Sequence, residues 1–314
     1  MARSTSSPVT APGTAVNAVP GRSLARLLLI SLRPGQWSKN LVIFAGLLFG
    51  RKLFDAPAVI DAVSAFAVFC VLSGVVYLMN DVIDRGSDRQ HPLKAQRPIA
   101  SGALPVAVGA AAAVVLGAGG LAAAFAIGRA FGLVAVTYLA LQMVYSTTLK
   151  HIMIIDVLTI AIGFVLRAVA GVMAVNVMIS QWLLVCTILL ALFIVLAKRR
   201  HEIVLLAGGA ASHRPILGEY SAYLLDQMIA VVTASTLIAY VFYTISPETQ
   251  EKFGTPWLGL TIPFPLYGIF RYLYLVHQRA GGGSPADLLL TDRPLLACVA
   301  LWALAVALII YRPL

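Results

Sequence analysis

The stretch AVSAFAVFCVLSGVVYLM, Ala62–Met79, runs for eighteen residues without a charge and then meets NDVIDRGSDRQHPLKAQRPIASG, Asn80–Gly102. A run of that length and apolarity suits a helix that crosses a bilayer. Such a helix ordinarily ends in a few solvated charges. This one ends in Asp81, Asp84 and Asp88 followed by Arg85, Arg89, Lys94 and Arg97. Comparable apolar runs recur along all 314 residues, of which 60% are hydrophobic and only 11% charged. Soluble domains carry about 25% charged residues, so the fold class is an all-α polytopic membrane protein and water-soluble classes are excluded. The net charge of +10 marks cytoplasmic loops of a membrane protein, with no nucleic acid as partner. Cys70, Cys186 and Cys298 each stand alone in an apolar run, and no His falls in an HExxH pattern. Free thiols and surface imidazoles are expected rather than zinc or disulfides.

Residues 1–21, rich in Ser, Thr, Ala and Pro, read as a disordered tail, and residues 22–314 as a single transmembrane domain. Arg22–Leu32 reads as a helix on the membrane surface, interrupted by Pro34. About nine spans are expected, at 37–50, 57–80, 104–127, 131–148, 152–176, 180–198, 223–245, 257–277 and 294–312; the first is short and contains Lys39. With the N-terminus inside, the tail and the even-numbered loops hold Arg3, Arg22, Arg26, Arg33, Arg214, Arg279, Arg293 and the cations of 81–103 and 198–200. The opposite side keeps Arg51, Lys52, Arg129, Lys252 and Arg312. That bias places the N-terminus and both long loops, 81–103 and 199–222, in the cytoplasm and the C-terminus outside the cell (inner) membrane. Gly109, Ala113 and Gly117 permit close helix contact. Spans two and six both end in polar clusters, which suggests two helical halves meeting at one site.

Asn80, Asp84 and Asp88 are spaced i, i+4, i+8, drift only about 80° around a helix and rise about 12 Å along it; Asp81 flanks their face. Three oxygen-bearing side chains beside a membrane are costly without a ligand. Their oxygens suit a hard ion such as Mg²⁺, which uses one or two carboxylates plus substrate phosphates. Arg89, Lys94 and Arg97 would neutralise phosphate oxygens, with Pro92 and Pro98 breaking the helix so that the basic stretch folds back. The alternative is a solvated helix end whose Asp and Arg side chains pair with each other.

The second cluster is AKRRHE, Ala197–Glu202. Lys198, Arg199 and Arg200 close the sixth span as phosphate ligands or as a solvated anchor, and Glu202, four residues after Lys198, is a candidate second metal ligand. YSTTLK supplies Tyr145 and Lys150, with Asp156 just inside the membrane edge. Arg167 lies eleven residues beyond Asp156, about 16 Å deeper, as a structural partner or a ligand for a lipid phosphate. Intramembrane ionisable groups are functional candidates by default. RPGQWSKN adds Arg33, Gln36, Trp37, Lys39 and Asn40 at the cytoplasmic edge. Tyr220, Tyr223 and Asp226 open span seven, where Asp226 compensates the helix dipole. Arg271 reads as snorkelling.

Asn80, Asp81, Asp84 and Asp88 meet in full the NDxxDxxxD motif of the UbiA-type intramembrane prenyltransferase superfamily, which the chain resembles. With RPGQWSKNL, YSTTLKHIMIIDVLTIAIGFVLRAVAG, AKRRHE and TIPFPLYGIFRYLYL, it is more similar to decaprenyl-phosphate phosphoribosyltransferases than to quinone-type prenyltransferases. The resemblance implies a nine-helix bundle around a cytoplasm-facing cavity. It also implies Mg²⁺-dependent transfer of 5-phosphoribose from phosphoribosyl diphosphate to polyprenyl (decaprenyl) phosphate with release of diphosphate, for cell-wall arabinan precursors. Asn80, Asp84 and Asp88 would then hold the metal and, with Asp81, form the catalytic cluster. Lys39, Arg89, Lys94, Arg97, Tyr145, Lys150, Asp156, Arg167, Lys198, Arg199, Arg200 and Glu202 would contact substrate. The superfamily's second DxxxD motif is replaced here by Lys198-x-x-x-Glu202, so one acid has become a base. Three readings stay open beside it: isoprenoid transfer to an aromatic acceptor, a membrane transporter, and a non-catalytic membrane scaffold. A homo-oligomer is neither required nor excluded.

Overall fold

The computed structural model describes residues 23–91, 94–178, 180–205, 215–278, 288 and 291–311. The tail at 1–21 lies outside the described residues, as do Arg3, Arg22, Pro92, Arg214, Arg279 and Arg312. Every regular element among the described residues is a helix. A short helix α1 (Leu24–Ser31) is capped by the Ser23 hydroxyl and packs Leu27 into a cluster with Val75 and Leu78. A 3₁₀ run, Pro34–Phe44, leads into α2 (Ala45–Phe49). The long α3 (Ala56–Ile83) starts at the Asp55 cap with Pro57 in its first turn, a position where proline loses no hydrogen bond. Its 28 residues span about 42 Å, more than the roughly 30 Å of hydrocarbon, so its polar end projects beyond the bilayer core.

The chain continues through α4 (Arg85–Gln90), α5 (Val106–Ile127), α6 (Arg129–Thr147), α7 (Ile155–Ala174), α8 (Gln181–Leu205), α9 (Ala222–Ile245), α10 (Pro247–Phe253), α11 (Pro263–Gln278) and α12 (Arg293–Tyr311). Seven of these, α3, α5, α6, α7, α8, α9 and α12, are long and apolar enough to cross a membrane, among the described residues. They match seven of the nine expected spans. The other two segments are composite. Residues 37–50 divide between the 3₁₀ run and α2, and residues 257–277 between a 3₁₀ turn, Trp257–Thr261, and the 16-residue α11.

Backbone contact accompanies the first of these departures. A Cβ built on Gly171 of α7 would lie 2.0 Å from the Ile43 carbonyl oxygen, and one on Gly46 would lie 2.8 Å from the Gly171 oxygen. The first segment thus rests main chain on main chain against α7. The small residues of α5 do face a neighbour: Gly109, Ala113, Gly117 and Gly120 are buried, and a Cβ on Gly120 would meet Leu72 of α3 at 2.8 Å.

Two cores lie side by side. One joins Ile43, Phe69, Leu72, Phe131, Tyr138 and Ala170. The other joins Val157, Phe193, Leu196, Leu225, Ile229 and Tyr272. Both draw on α7, through Ala170 and Val157 respectively. At the far end a third cluster includes Phe49, Tyr243, Leu258 and Val306. There the Tyr311 hydroxyl donates to the carbonyls of Leu47 (3.0 Å) and Leu48 (3.3 Å) and accepts the Leu53 N–H (2.9 Å), closing α12 onto the first segment. All three cysteines are free. Because α8 runs past Lys198 to Leu205, His201 is buried on it, which corrects the expectation of a surface imidazole there.

Candidate active site

Antiparallel alternation brings the C-terminal ends of α3, α6 and α8 and the N-terminal ends of α7 and α9 together, and the charged residues meet there. α3 stops at Ile83, and the chain turns at Asp84 (φ −87°, ψ 6°) before α4 begins at Arg85. The stripe of Asn80, Asp84 and Asp88 is therefore bent in the middle. Asp81 and Asp88 are buried, while Asp84 stays about one-third exposed (34%). Arg97 folds back over both buried acids, its Nη1 3.2 Å from Asp81 Oδ1 and 2.6 Å from Asp88 Oδ2. Arg33 donates to the same Asp81 oxygen, Oδ1, and lies 4.7 Å from the centroid of the Tyr77 ring. Its backbone is left-handed (φ 52°), a strained state for a residue with a Cβ. Lys94 Nζ stands 4.0 Å from Asp88 Oδ1, and Lys150 Nζ reaches Asp84 Oδ1 at 2.8 Å. Asn80 sits one turn below and its carbonyl accepts the Asp84 N–H. Arg89 Nε donates to the Ala100 carbonyl (2.9 Å), so it anchors the returning loop.

The second cluster is closed. Asp156 is fully buried; its Oδ1 accepts the Tyr220 hydroxyl (2.8 Å) and its Oδ2 the Arg199 Nε–H (3.2 Å). Arg199 Nη1 continues to Glu202 Oε2 (2.8 Å), and Lys198 lies 3.8 Å from the other Glu202 oxygen. Tyr145 is beside Arg199. The Tyr220 hydroxyl also accepts the N–H of Ile154 (2.7 Å). Burial pushes that phenol up to about 12, so it remains a protonated donor. Arg200 turns outward to Asp226, whose carboxylate also meets His277 Nε2 at 3.3 Å. Asp226 thus has a specific partner besides the helix dipole, and Arg271, expected to snorkel, holds Asp292 at 2.8 Å.

Deeper, Arg167 is buried and donates to Asn40 Oδ1 (2.8 Å), the Tyr138 hydroxyl (2.8 Å) and the Gly163 carbonyl (3.1 Å). Asn40 is itself fixed by Ser73 Oγ at 3.2 Å. Lys39 is half-buried and close enough to Arg167 and Arg33 to feel both charges. Asp156 and Arg167 do not meet, as their spacing on α7 predicts.

Residues 41–284 match the model of the UbiA prenyltransferase family. The chain belongs to that family. As a UbiA-family protein it is a transferase with several membrane-spanning helices. It is 33% identical to the decaprenyl-phosphate phosphoribosyltransferase of Corynebacterium glutamicum, covering 93% of this chain and 89% of that protein. It is also 33% identical to the protein of that name from Mycobacterium tuberculosis, covering 90% and 94%. In fold it is similar to a UbiA homolog from Archaeoglobus fulgidus solved with DMAPP and Mg²⁺, at a TM-score of 0.70 and 20% identity over 91% of this chain and 99% of that one.

The cluster at the end of α3 offers oxygen donors from Asn80, Asp84 and Asp88, the chemistry a hard divalent ion takes. Among the described residues no three acidic, histidine or cysteine side chains converge as a ready cage. Such a set fits an ion that completes its shell with water and substrate phosphate. Glu202 is instead tied to two cations on α8. The sequence reading passed over Tyr77 and Tyr138, which hold Arg33 and Arg167 respectively. Tyr77, four residues before Asp81 and so on the same helical face, was the one with a readable signal.

Proposed function

We propose that this UbiA-family transferase moves the 5-phosphoribosyl group of phosphoribosyl diphosphate onto polyprenyl phosphate and releases diphosphate. The observation that carries the reading is the bent acidic cluster, in which Asp84 and Asp88 each face a cation that a phosphate can take over. The names and near-complete coverage of the actinobacterial relatives support it. Asn80, Asp84 and Asp88 would hold Mg²⁺, which when bound supplies positive charge for the departing diphosphate. Lys150, Lys94 and Arg97 lie on the carboxylates until substrate arrives and then turn to phosphate oxygens, where charge-assisted bonds are strongest. Arg199, held rigid by Asp156 and Glu202, and Lys198 form the opposite positive wall. The accepting phosphate is already an anion, so no general base is needed. Seven continuous helices and two composite segments would make nine crossings of the cell membrane. The N-terminus and the site would face the cytoplasm, and α12 would end outside.

The test is transfer by purified protein in lipid nanodiscs given radiolabelled phosphoribosyl diphosphate, polyprenyl phosphate and Mg²⁺. Labelled lipid that disappears with EDTA is the expected result. No labelled lipid, with turnover of geranyl diphosphate and an aromatic acid instead, would overturn it in favour of isoprenoid transfer.

A further inference from the structure

We propose that the groove between α9 and α11 binds one membrane phospholipid with a zwitterionic, amine-bearing headgroup. The groove encloses about 730 Å³, within the roughly 300–1,000 Å³ of small-molecule sites. Asp226, Thr233, Ala234 and Leu237 line it from α9, and Phe270 and His277 from α11. Asp226 and Leu237 are eleven residues apart, about 16 Å along the helix, so the groove runs from the charged end of α9 down its apolar length. Ala234 and Phe270 are exposed, which leaves the groove open sideways to lipid.

Thr233 is the first sign of a ligand. The hydroxyls of Ser235, Thr236 and Thr244 on the same helix turn back to the carbonyls of Val231, Val232 and Val241, the usual resort of such side chains in a helix. Thr233 is 8% exposed, and its Oγ1 is buried without a hydrogen-bond partner, a costly state in an apolar setting. Threonine has two rotamers open to it on a helix. A turn about χ1 exchanges its methyl and hydroxyl and offers the hydroxyl to an ester carbonyl in the groove.

The mouth supplies the second sign. Asp226 Oδ2 accepts from Arg200 Nη2 at 3.3 Å, and Oδ1 lies 3.3 Å from His277 Nε2. The Asp226 side chain is still 37% exposed. A carboxylate lining the mouth repels a purely anionic headgroup and attracts an ammonium, whose N–H groups form charge-assisted bonds to it. The phosphate of the same headgroup then falls beside Arg200. Thr233 stands about 10 Å further along α9. The ammonium and the ester carbonyl thus meet the two polar points, and the acyl chain lies against Leu237 and Phe270.

This groove is separate from the acidic cluster. Arg199 and Arg200 are adjacent and point about 100° apart on α8; Arg199 turns to Asp156 and Arg200 to Asp226. The lipid site therefore stands or falls independently of the proposed reaction.

The full chain, delipidated in detergent, is titrated with phosphatidylethanolamine, phosphatidylcholine and phosphatidylglycerol of matched acyl chains. Retained lipid is counted by native mass spectrometry, and the thermal melt is recorded beside it. Wild type should keep one phosphatidylethanolamine, at least fivefold over either other lipid, and melt higher with it, since a ligand of the folded state alone stabilises that state. Ala234→Trp fills the groove from its lipid-facing side and should lose both the retention and the melt response. Thr233→Val keeps the shape, removes the hydroxyl and should weaken retention at least threefold; it carries the test if the Trp variant fails to fold. Equal retention of the three lipids by wild type, or unchanged retention in either folded variant, overturns the inference in favour of unselective bilayer contact. One-for-one displacement of phosphatidylethanolamine by polyprenyl phosphate overturns it in favour of a substrate tail.

Discussion

The acidic cluster at the end of α3 and the ion-pair group at the end of α8 contain the same kinds of residue but differ in access. On the α3 side Asp84 and its partner Lys150 are 34% and 19% exposed, and Arg97 and Lys94 arrive from a returning loop. On the α8 side Asp156 and Arg199 are 0% and 3% exposed, and a tyrosine closes the remaining oxygen. Partly exposed pairs exchange partners at little cost, whereas a sealed pair is held by the desolvation of whichever charge is left behind. The first region keeps one carboxylate, Asp84, open to exchange beside the buried Asp81 and Asp88, whereas the second has both its acid, Asp156, and its cation, Arg199, sealed.

Mutations should separate the two along that line. The largest effect is expected for Asp84→Ala, which should lower kcat by about 10²–10³-fold, the scale seen when one transition-state contact is removed. Its thermal melt should stay near that of wild type. A variant with full activity would break the assignment. Next, Asp156→Asn strands the Arg199 charge against Glu202 alone and should cost about 3 kcal/mol of stability, read as a lowered melting temperature in detergent. Tyr220→Phe removes one donor and one acceptor and should cost about 1 kcal/mol by the same measurement, with the Mg²⁺ requirement unchanged. The smallest effect is expected for Glu202→Gln. Its carboxylate serves Arg199 and Lys198, so the Mg²⁺ concentration for half-maximal transfer should stay within about twofold, roughly 0.4 kcal/mol. A tenfold rise would instead make Glu202 a ligand and erase the contrast.

The sequence made the membrane helices legible, because Ala62–Met79 and its counterparts are long and apolar, and it placed the acidic cluster through the spacing of Asn80, Asp84 and Asp88. It also anticipated the basic stretch folding back, as Arg97 does across Asp81 and Asp88, but it did not show the bend at Asp84. Nor did it show that Asp156 would find Arg199, 43 residues away, and Tyr220, 64 away. Those pairings follow from helix packing, which local periodicity does not encode. The short first span was suspect because Lys39 lies inside it. Nor could it show the close approach of that segment to a different helix, where the missing side chain of Gly171 leaves room for the Ile43 carbonyl.

The clasp of Tyr311 on Leu47 and Leu48 joins residues 264 and 263 positions apart. Contacts so distant in sequence form late, so during synthesis the first segment is held chiefly by α3 and α7 until the ribosome has delivered α12. A nascent chain stalled before that helix would leave the Leu47 and Leu48 carbonyls without the Tyr311 hydroxyl and the end of the bundle open to membrane proteases.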